Sequence, residues 1–262
     1  LSRPRAFVRP PSDAYARCIR PDASVPIDAA KARRQHDAYS RALGSFTELA
    51  TWSPEPELPD ACFVEDAAVL SGEIAVITRA SAVSRRPEIA TVEKALSKLL
   101  DCRRIERGFL DGGDVMVAGG IAFVGLSRRT DHIGASELER LLELEVRLVP
   151  VGGWLHLKTA VTPVDSKTLI QLRGAYPPGA FRGFEVLETD EPTGATVLAV
   201  GGDVIVSAAA PNTAALLSAR GLRVHPVDIS EFHAGDAGTT CLSLISYFSG
   251  GPGGRAPSKP VL

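Results

Sequence analysis

The chain is short of almost everything that advertises a metal or nucleotide protein. Its four cysteines, Cys18, Cys62, Cys102 and Cys241, never form a C-x-x-C pair, and its five histidines make no H-E-x-x-H or Cys/His cluster. A disulfide framework and a zinc site of familiar spacing are therefore not signalled. There is no G-x-x-x-x-G-K-[ST], and neither Gly112-Gly113 nor Gly119-Gly120 belongs to a G-x-G-x-x-G that opens a helix, so nucleotide cofactors are not expected either. Charge of one sign is also missing. Lys plus Arg is 29 against 31 for Asp plus Glu, a formal net charge of -2, which removes the argument for a nucleic-acid partner. Long apolar runs are absent: the stretch Val115 to Leu126 is interrupted by glycine and too short to span a bilayer, and the N-terminus carries no apolar signal-peptide core. The expectation is a cytoplasmic protein with no membrane partner.

What is present is an ordinary globular composition, 45% hydrophobic and 23% charged over 262 residues, enough for one large domain or two small ones. The hydrophobic pattern predicts a strand over Arg5 to Arg9, a Pro-rich segment from Pro10 to Pro26, and a helix from Asp28, a candidate cap, to Leu43. Residues 46 to 52 read as a strand. A unit then begins that recurs. Glu65-Asp66 leads into Ala67 to Leu70, a turn at 71 to 73, and the strand Ile74 to Thr78. Ile89, Val92, Leu96, Leu99 and Leu100 follow at three- and four-residue steps, which predicts a helix over 87 to 101. The order returns at Asp111-Gly112-Gly113-Asp114, with strands Val115 to Ala118 and Ile121 to Leu126 and a helix carrying Ala135, Leu138, Leu141 and Leu142. It returns at His156, with strands on either side of Pro163 to Ser166, and at Thr196 to Val200, with Val204 to Ala208 and a helix from Asn212 to Ala219. A fifth copy begins at Cys241.

Glu65 to Asp111 is 46 residues, Asp111 to His156 is 45, and His156 to Cys241 is 85, which holds the copy entering near Thr196. A period of this size points to one supersecondary unit arrayed as a solenoid or propeller. Around an axis, equivalent strand entrances fall at one end, so Glu65, Asp66, Asp111, His156 and Cys241 are expected to converge. A thiol with a histidine and an orienting carboxylate is a set for nucleophilic catalysis. Further carboxylates suit a planar cation, because a guanidinium presents N–H donors in a fixed fork. Such a cation beside the thiol also lowers its pKa from a free value of about 8.5. The expected chemistry is attack on a guanidinium carbon, with a small cationic molecule as partner.

Six stretches carry a more specific likeness: Leu58-Pro59-Asp60-Ala61-Cys62-Phe63-Val64-Glu65-Asp66, Ser84-Arg85-Arg86, Leu110-Asp111-Gly112-Gly113-Asp114, Phe123 to Thr130, Leu155-His156-Leu157-Lys158-Thr159, and Thr240-Cys241-Leu242-Ser243-Leu244. In order and spacing they resemble the dimethylarginine dimethylaminohydrolases, over roughly Arg5 to Ile245. The resemblance implies an α/β pentein fold, a five-bladed propeller of ββαβ-like repeats with pseudo-fivefold symmetry. It implies a single catalytic domain over 1–248, while the Gly/Pro-rich composition of 249–262 reads by itself as a flexible tail. It further implies that Cys241 is the nucleophile, that His156 is proton donor and later base, and that Asp111 orients His156. Asp66 with Glu65 would hold the guanidinium, Asp60 the substrate α-amino group, and Arg85 and Arg129 its α-carboxylate, with Ile19 as an apolar lid residue. The implied reaction releases citrulline and a methylamine through a covalent S-alkylthiouronium, with no metal or organic cofactor.

Each residue also has an ordinary reading. Cys241 taken alone is a buried thiol, His156 a satisfied core histidine, Asp-Gly-Gly-Asp a turn, and the two Arg-Arg pairs solvated charge. The shared order of the motifs overrides these readings, while Arg86, Arg128 and Asp114, the other three cysteines and the other four histidines stay structural. Arginine deiminase and other guanidine-modifying enzymes are the near alternatives. They resemble His-x-Asp where this chain has His156-Leu157-Lys158, which speaks against them. A catalytically silent pentein that binds the ribosome is the alternative of another class, disfavoured because the thiol, histidine and acids are all retained. The sequence leaves the oligomeric state open, a homodimer being the protein partner to consider.

Overall fold

In the computed structural model, which describes residues 3–247, the chain forms five three-stranded sheets. The first strand in the sequence, β1 (Arg5–Val8), leads through the Pro-rich segment to helix α1 (Ala29–Gly44), capped as expected by Asp28, whose carboxylate accepts from the Lys31 N–H at 2.9 Å. Strand β2 (Glu48–Thr51) then returns parallel to β1. The next sheet holds β3 (Ala68–Ser71), antiparallel β4 (Ile74–Ile77), helix α2 (Arg86–Leu96) and parallel β5 (Asp101–Arg104). The third repeats the order with β6 (Val115–Ala118), β7 (Ile121–Leu126), α3 (His132–Leu142) and β8 (Glu145–Pro150). The fourth has β9 (Val161–Pro163), β10 (Thr168–Leu172) and β11 (Glu185–Thr189), and the fifth β12 (Leu198–Val200), β13 (Asp203–Ser207), α4 (Pro211–Ala219) and β14 (Arg223–Val227). After α5 (Ser230–Ala234), β15 (Ser243–Ser246) pairs antiparallel with β1. The copy that begins at Cys241 is therefore completed by the N-terminal strands, and the two ends of the chain close one ring.

Two elements differ from the sequence pattern. Helix α2 ends at Leu96, where the Leu99 and Leu100 amides fold back onto the Leu96 carbonyl in a tight turn. The turn delivers Asp101 opposite Ile74 in the parallel register, so Leu99 is left 46% exposed. The crossover between β10 and β11 has turns in place of an α-helix, and Tyr176, Phe181 and Phe184 fill the space a helix would cover, packing edge-on around Phe123. Aromatic side chains bury enough area each to cover a sheet face without regular backbone.

The short first strands of the blades lie side by side, β15 against β3, β6 against β9 and β9 against β12. Together they line an axial cavity of about 160 Å³. At one end of the axis the first strands of four blades are entered through single-turn helices, Val64–Ala67, Gly112–Asp114, Leu157–Thr159 and Thr240–Leu242. The convergence expected from the repeat spacing is present. Asp114 stitches two of these entrances together: wholly buried, it accepts from Ser127 Oγ at 2.6 Å, Thr130 Oγ1 at 2.7 Å and the Leu157 N–H at 2.9 Å, a structural role as expected. His233 is also structural, held between Ser207 Oγ and the Ala237 carbonyl. Cys18 and Cys62 are buried in the core beside α1. No helix among the described residues is long and apolar enough to cross a membrane, and the expected tail at 249–262 lies outside the described residues.

Asp114 yields a graded prediction. Hydroxyls rotate, so in Asp114→Asn the Ser127 and Thr130 oxygens can accept from the new amide while its carbonyl keeps the Leu157 N–H. Asp114→Ala leaves that N–H unpaired in the interior, at about 1–3 kcal/mol for each stranded group. Urea midpoints are expected in the order wild type, Asn, Ala, with Asn nearer the wild type.

Candidate active site

The site is built where the entrance turns touch. Asp66 lies on the turn before β3 and sends one oxygen to the Gly113 N–H at 3.0 Å and the other to Arg85 Nη1. Its first oxygen is 3.9 Å from His156 Nδ1, while His156 Nε2 is 3.3 Å from Asp111 Oδ2. Asp66, Asp111 and His156 are all buried, with one ligand atom of each within 4.8 Å of the others. The sequence had no metal-ligand spacing, yet folding assembles three groups that would embrace a small cation. Such approach is possible because residue 113 is glycine. A Cβ there would sit 2.5 Å from His156 Nδ1 and 2.7 Å from Asp66 Oδ1, and one on Gly112 would sit 2.0 Å from the Glu65 carbonyl oxygen. The Asp-Gly-Gly-Asp run is thus required by close packing of three turns, beyond the turn it makes.

Glu65 faces the axial cavity. Its two oxygens accept from Lys158 Nζ at 2.6 Å and from Oγ1 of Thr240, the residue before Cys241, at 2.9 Å, and all three side chains line that cavity. Arg85 is 6% exposed. Its Nε and Nη2 donate to Glu88 Oε2, and Nη2 also to the Asp60 and Phe63 carbonyls, so with Asp66 on Nη1 one Nη1 hydrogen remains uncommitted among the described residues. Asp60 is buried and accepts the Ile19 N–H at 3.0 Å, which fastens the Pro-rich segment over this end of the site, where the Ile19 side chain is 42% exposed. Arg129 reaches to 3.9 Å from Asp111 Oδ2. All nine residues singled out from the sequence therefore lie in or at the rim of one region.

Sequence reasoning did not find Glu88, the second carboxylate on Arg85, although its position three residues along a helix was a usable signal. Lys158 was read only as a departure from His-x-Asp, and its buried pairing with Glu65 depends on blades 93 residues apart.

The carboxyl groups of Asp60, Glu65, Asp66, Glu88, Asp111, Asp114 and Asp236 lie among the basic groups of Arg85, Arg129, His156 and Lys158. Burial opposes protonation of His156, but the carboxylates of Asp66, Asp111 and Asp114 outweigh it and raise its pKa above the ordinary value. Burial likewise opposes ionisation of Asp66, and His156 and Arg85 overcome it, holding Asp66 below the carboxylate range. The Cys241 thiol is pushed well up, by burial first and then by Glu65 and Asp66. These directions favour a protonated imidazole at His156 and a protonated thiol at Cys241.

Comparison with known proteins agrees with this geometry. The chain is 40% identical over 230 residues to N(G),N(G)-dimethylarginine dimethylaminohydrolase of Streptomyces coelicolor, covering 83% of this chain and 87% of the relative. The chain belongs to the dimethylarginine dimethylaminohydrolase family. The Pseudomonas aeruginosa member is 33% identical over 226 residues, covering 83% of this chain and 89% of the relative. A solved structure of that Pseudomonas aeruginosa protein, a cysteine-to-serine variant complexed with citrulline, superposes with a TM-score of 0.89 at 30% identity, over 94% of this chain and all of the other. No family model matches the sequence. The superposition shows the pentein propeller that the resemblance implied, in agreement with the solenoid or propeller expected from the repeats.

Two outcomes follow from the geometry. Gly113→Ala displaces His156 or Asp66 by the width of a methyl group, and a misplacement near 1 Å can cost about 100-fold in rate; a drop of that order in kcat/KM, in protein whose far-UV CD is unchanged, is expected. The folded-state pKa of His156 lies above its unfolded value of about 6.5, so its contribution to stability is complete below that value and disappears as pH rises through the folded pKa. His156→Gln should therefore flatten the alkaline side of the stability–pH curve, read as urea midpoints from pH 6 to 10.

Proposed function

We propose that this chain hydrolyses N-methylated arginines, asymmetric dimethylarginine and monomethylarginine, to citrulline and the corresponding methylamine. The observation that carries the reading is the cluster of Asp66, Asp111 and His156 beside the Cys241 thiol, with carboxylates in excess around it.

The steps follow from the charges. The raised thiol cannot be deprotonated by His156, which its carboxylates keep protonated. The substrate's guanidinium supplies the missing positive charge, held on Asp66 with Glu65 behind it, and the thiol proton leaves to solvent. The Cys241 thiolate adds to the guanidinium carbon. As the bond from that carbon to the methylated nitrogen breaks, the nitrogen takes the proton of His156 and departs as the neutral amine, leaving an S-alkylthiouronium on Cys241. Neutral His156 then removes a proton from water as the water adds to the same carbon. The C–S bond breaks, citrulline leaves, and the second water proton restores the thiol. Asp111 holds the His156 ring throughout. At the far end of the site Asp60 takes the α-amino group, Arg129 and the uncommitted hydrogen of Arg85 take the α-carboxylate, and Ile19 covers the ligand.

The Lys158–Glu65 pair favours methylated substrates over arginine. Arginine's guanidinium has five N–H groups to satisfy, and asymmetric dimethylation removes two of them, so a site with Glu65 already committed to Lys158 and Thr240 leaves fewer donors stranded on the methylated form. No step calls for a metal or organic cofactor. Four free cysteines fit the reducing cytoplasm as the compartment. The substrate is the one partner this reading requires, and a homodimer would add nothing to a site built from a single chain.

The test is citrulline release from asymmetric dimethylarginine, monomethylarginine and arginine in parallel, with chelator present. Turnover of the methylated substrates that vanishes in Cys241→Ser is the expected result. Turnover of arginine alone would make the protein a deiminase, and silence on all three would overturn the reading.

A further inference from the structure

In the blade of β3, β4 and β5 the carboxyl ends of the parallel pair β4 and β5 open onto one face of α2. Crevices outside the carboxyl ends of parallel strands are where α/β sheets take ligands. This one is a cavity of about 280 Å³. Helix α2 lines it with Arg86, Ile89, Ala90 and Glu93, spaced as one helical face, while Arg85 and Glu88 pair with each other on the side of the candidate active site. Arg79 and Arg104 enter from the ends of the two strands, and Ile77 and Ile105 complete the apolar wall.

The charges in this crevice do not balance. Glu93 is taken up by Arg104, whose Nε donates to Oε1 at 2.6 Å and whose Nη2 donates to Oε2, and Glu106 beyond β5 also acts on Arg104. Arg79 and Arg86 have no carboxylate partner among the described residues. Arg79 Nη1 donates to the Gly108 carbonyl at 2.6 Å, and its guanidinium lies 5.0 Å from the centre of the Phe109 ring. Arg86 Nε donates to the Ala80 carbonyl at 3.3 Å. A carbonyl or an aromatic face fixes a guanidinium without cancelling its charge. Because an arginine carries five N–H donors, each of the two keeps donors for a ligand.

We propose that this crevice binds a small phosphomonoester, at a site separate from the candidate active site. Two uncompensated guanidiniums call for about two negative charges, which a phosphomonoester carries on a single group near pH 7. The guanidinium fork matches phosphate oxygens in bidentate fashion. The Thr78 hydroxyl is already given to the Asp66 carbonyl at 2.7 Å, so the two arginines supply the recognition. Ile77, Ile89 and Ile105 give an organic body its contact, and that body has few carbons, because ordinary ligand pockets begin near about 300 Å³. Nothing in this site depends on the proposed reaction.

The experiment is a calorimetric titration of the full chain with n-butyl phosphate at constant ionic strength. The comparators are n-butyl sulfate, a monoanion of the same shape, and glutarate, a dicarboxylate. One n-butyl phosphate per chain is expected, bound more tightly than either comparator, with the affinity lowered about tenfold or more in Arg79→Gln and in Arg86→Gln. Ala90→Glu puts a carboxylate between the two cations at an exposed helix position and should abolish binding while leaving both arginines in place. Arg129→Gln should leave the affinity unchanged. No binding, equal binding of a comparator, or binding that survives Ala90→Glu overturns the proposal. Loss of binding in Arg129→Gln would put the anion in the candidate active site and overturn it as well. Should Arg79→Gln fail to fold, Arg86→Gln and Ala90→Glu, both at exposed positions, decide the outcome.

Discussion

The arrangement depends on one carboxylate. Asp66 ties the turn before β3 to the turn before β6 through the Gly113 N–H, and faces the His156 ring at the turn before β9. It also anchors Arg85 at the start of α2. A buried carboxylate is costly unless its lone pairs are met, and here two cations and a backbone N–H meet them. The same contacts that make the charge tolerable bring three blades to one point. Stability and chemistry are set by a single set of distances.

Burial first, and then the charge balance around that point, pushes the Cys241 thiol up. Carboxylates near Cys241 act against ionisation, and Lys158 only partly offsets them. The site is consequently tuned to its cation. In the proposed reaction, the charge that recognises the cationic substrate also activates the thiol.

Much of the fold was legible. The 45- and 46-residue steps identified the repeated unit, and the period-two and period-3.6 patterns placed most strands and helices within a few residues. The failures have local causes. Leu99 and Leu100 continue the α2 pattern, but the need to return Asp101 into a parallel register ends the helix at Leu96. In the fourth blade the chain carries Tyr176, Phe181 and Phe184 where a helical face would stand. For the site, the residue types and their repeat positions sufficed to gather Asp66, Asp111, His156 and Cys241. The partners of Arg85 and Glu65 were less visible, because Glu88 and Lys158 are ordinary helix and loop charges until burial removes water from them.

By itself the sequence determined the repeat, and with it the fact that four chemistry-bearing entrances share one end of an axis, because equivalent positions in a ring of equal units must coincide. It also determined where glycine stands, although not why. Only the tertiary structure decided that the fifth blade is closed by the N-terminal strands, that Glu65 is committed to Lys158, and that Arg129 leans on the carboxylate that holds the histidine. These are contacts between segments far apart in the chain, selected by which charges become buried together, and no local pattern carries that information.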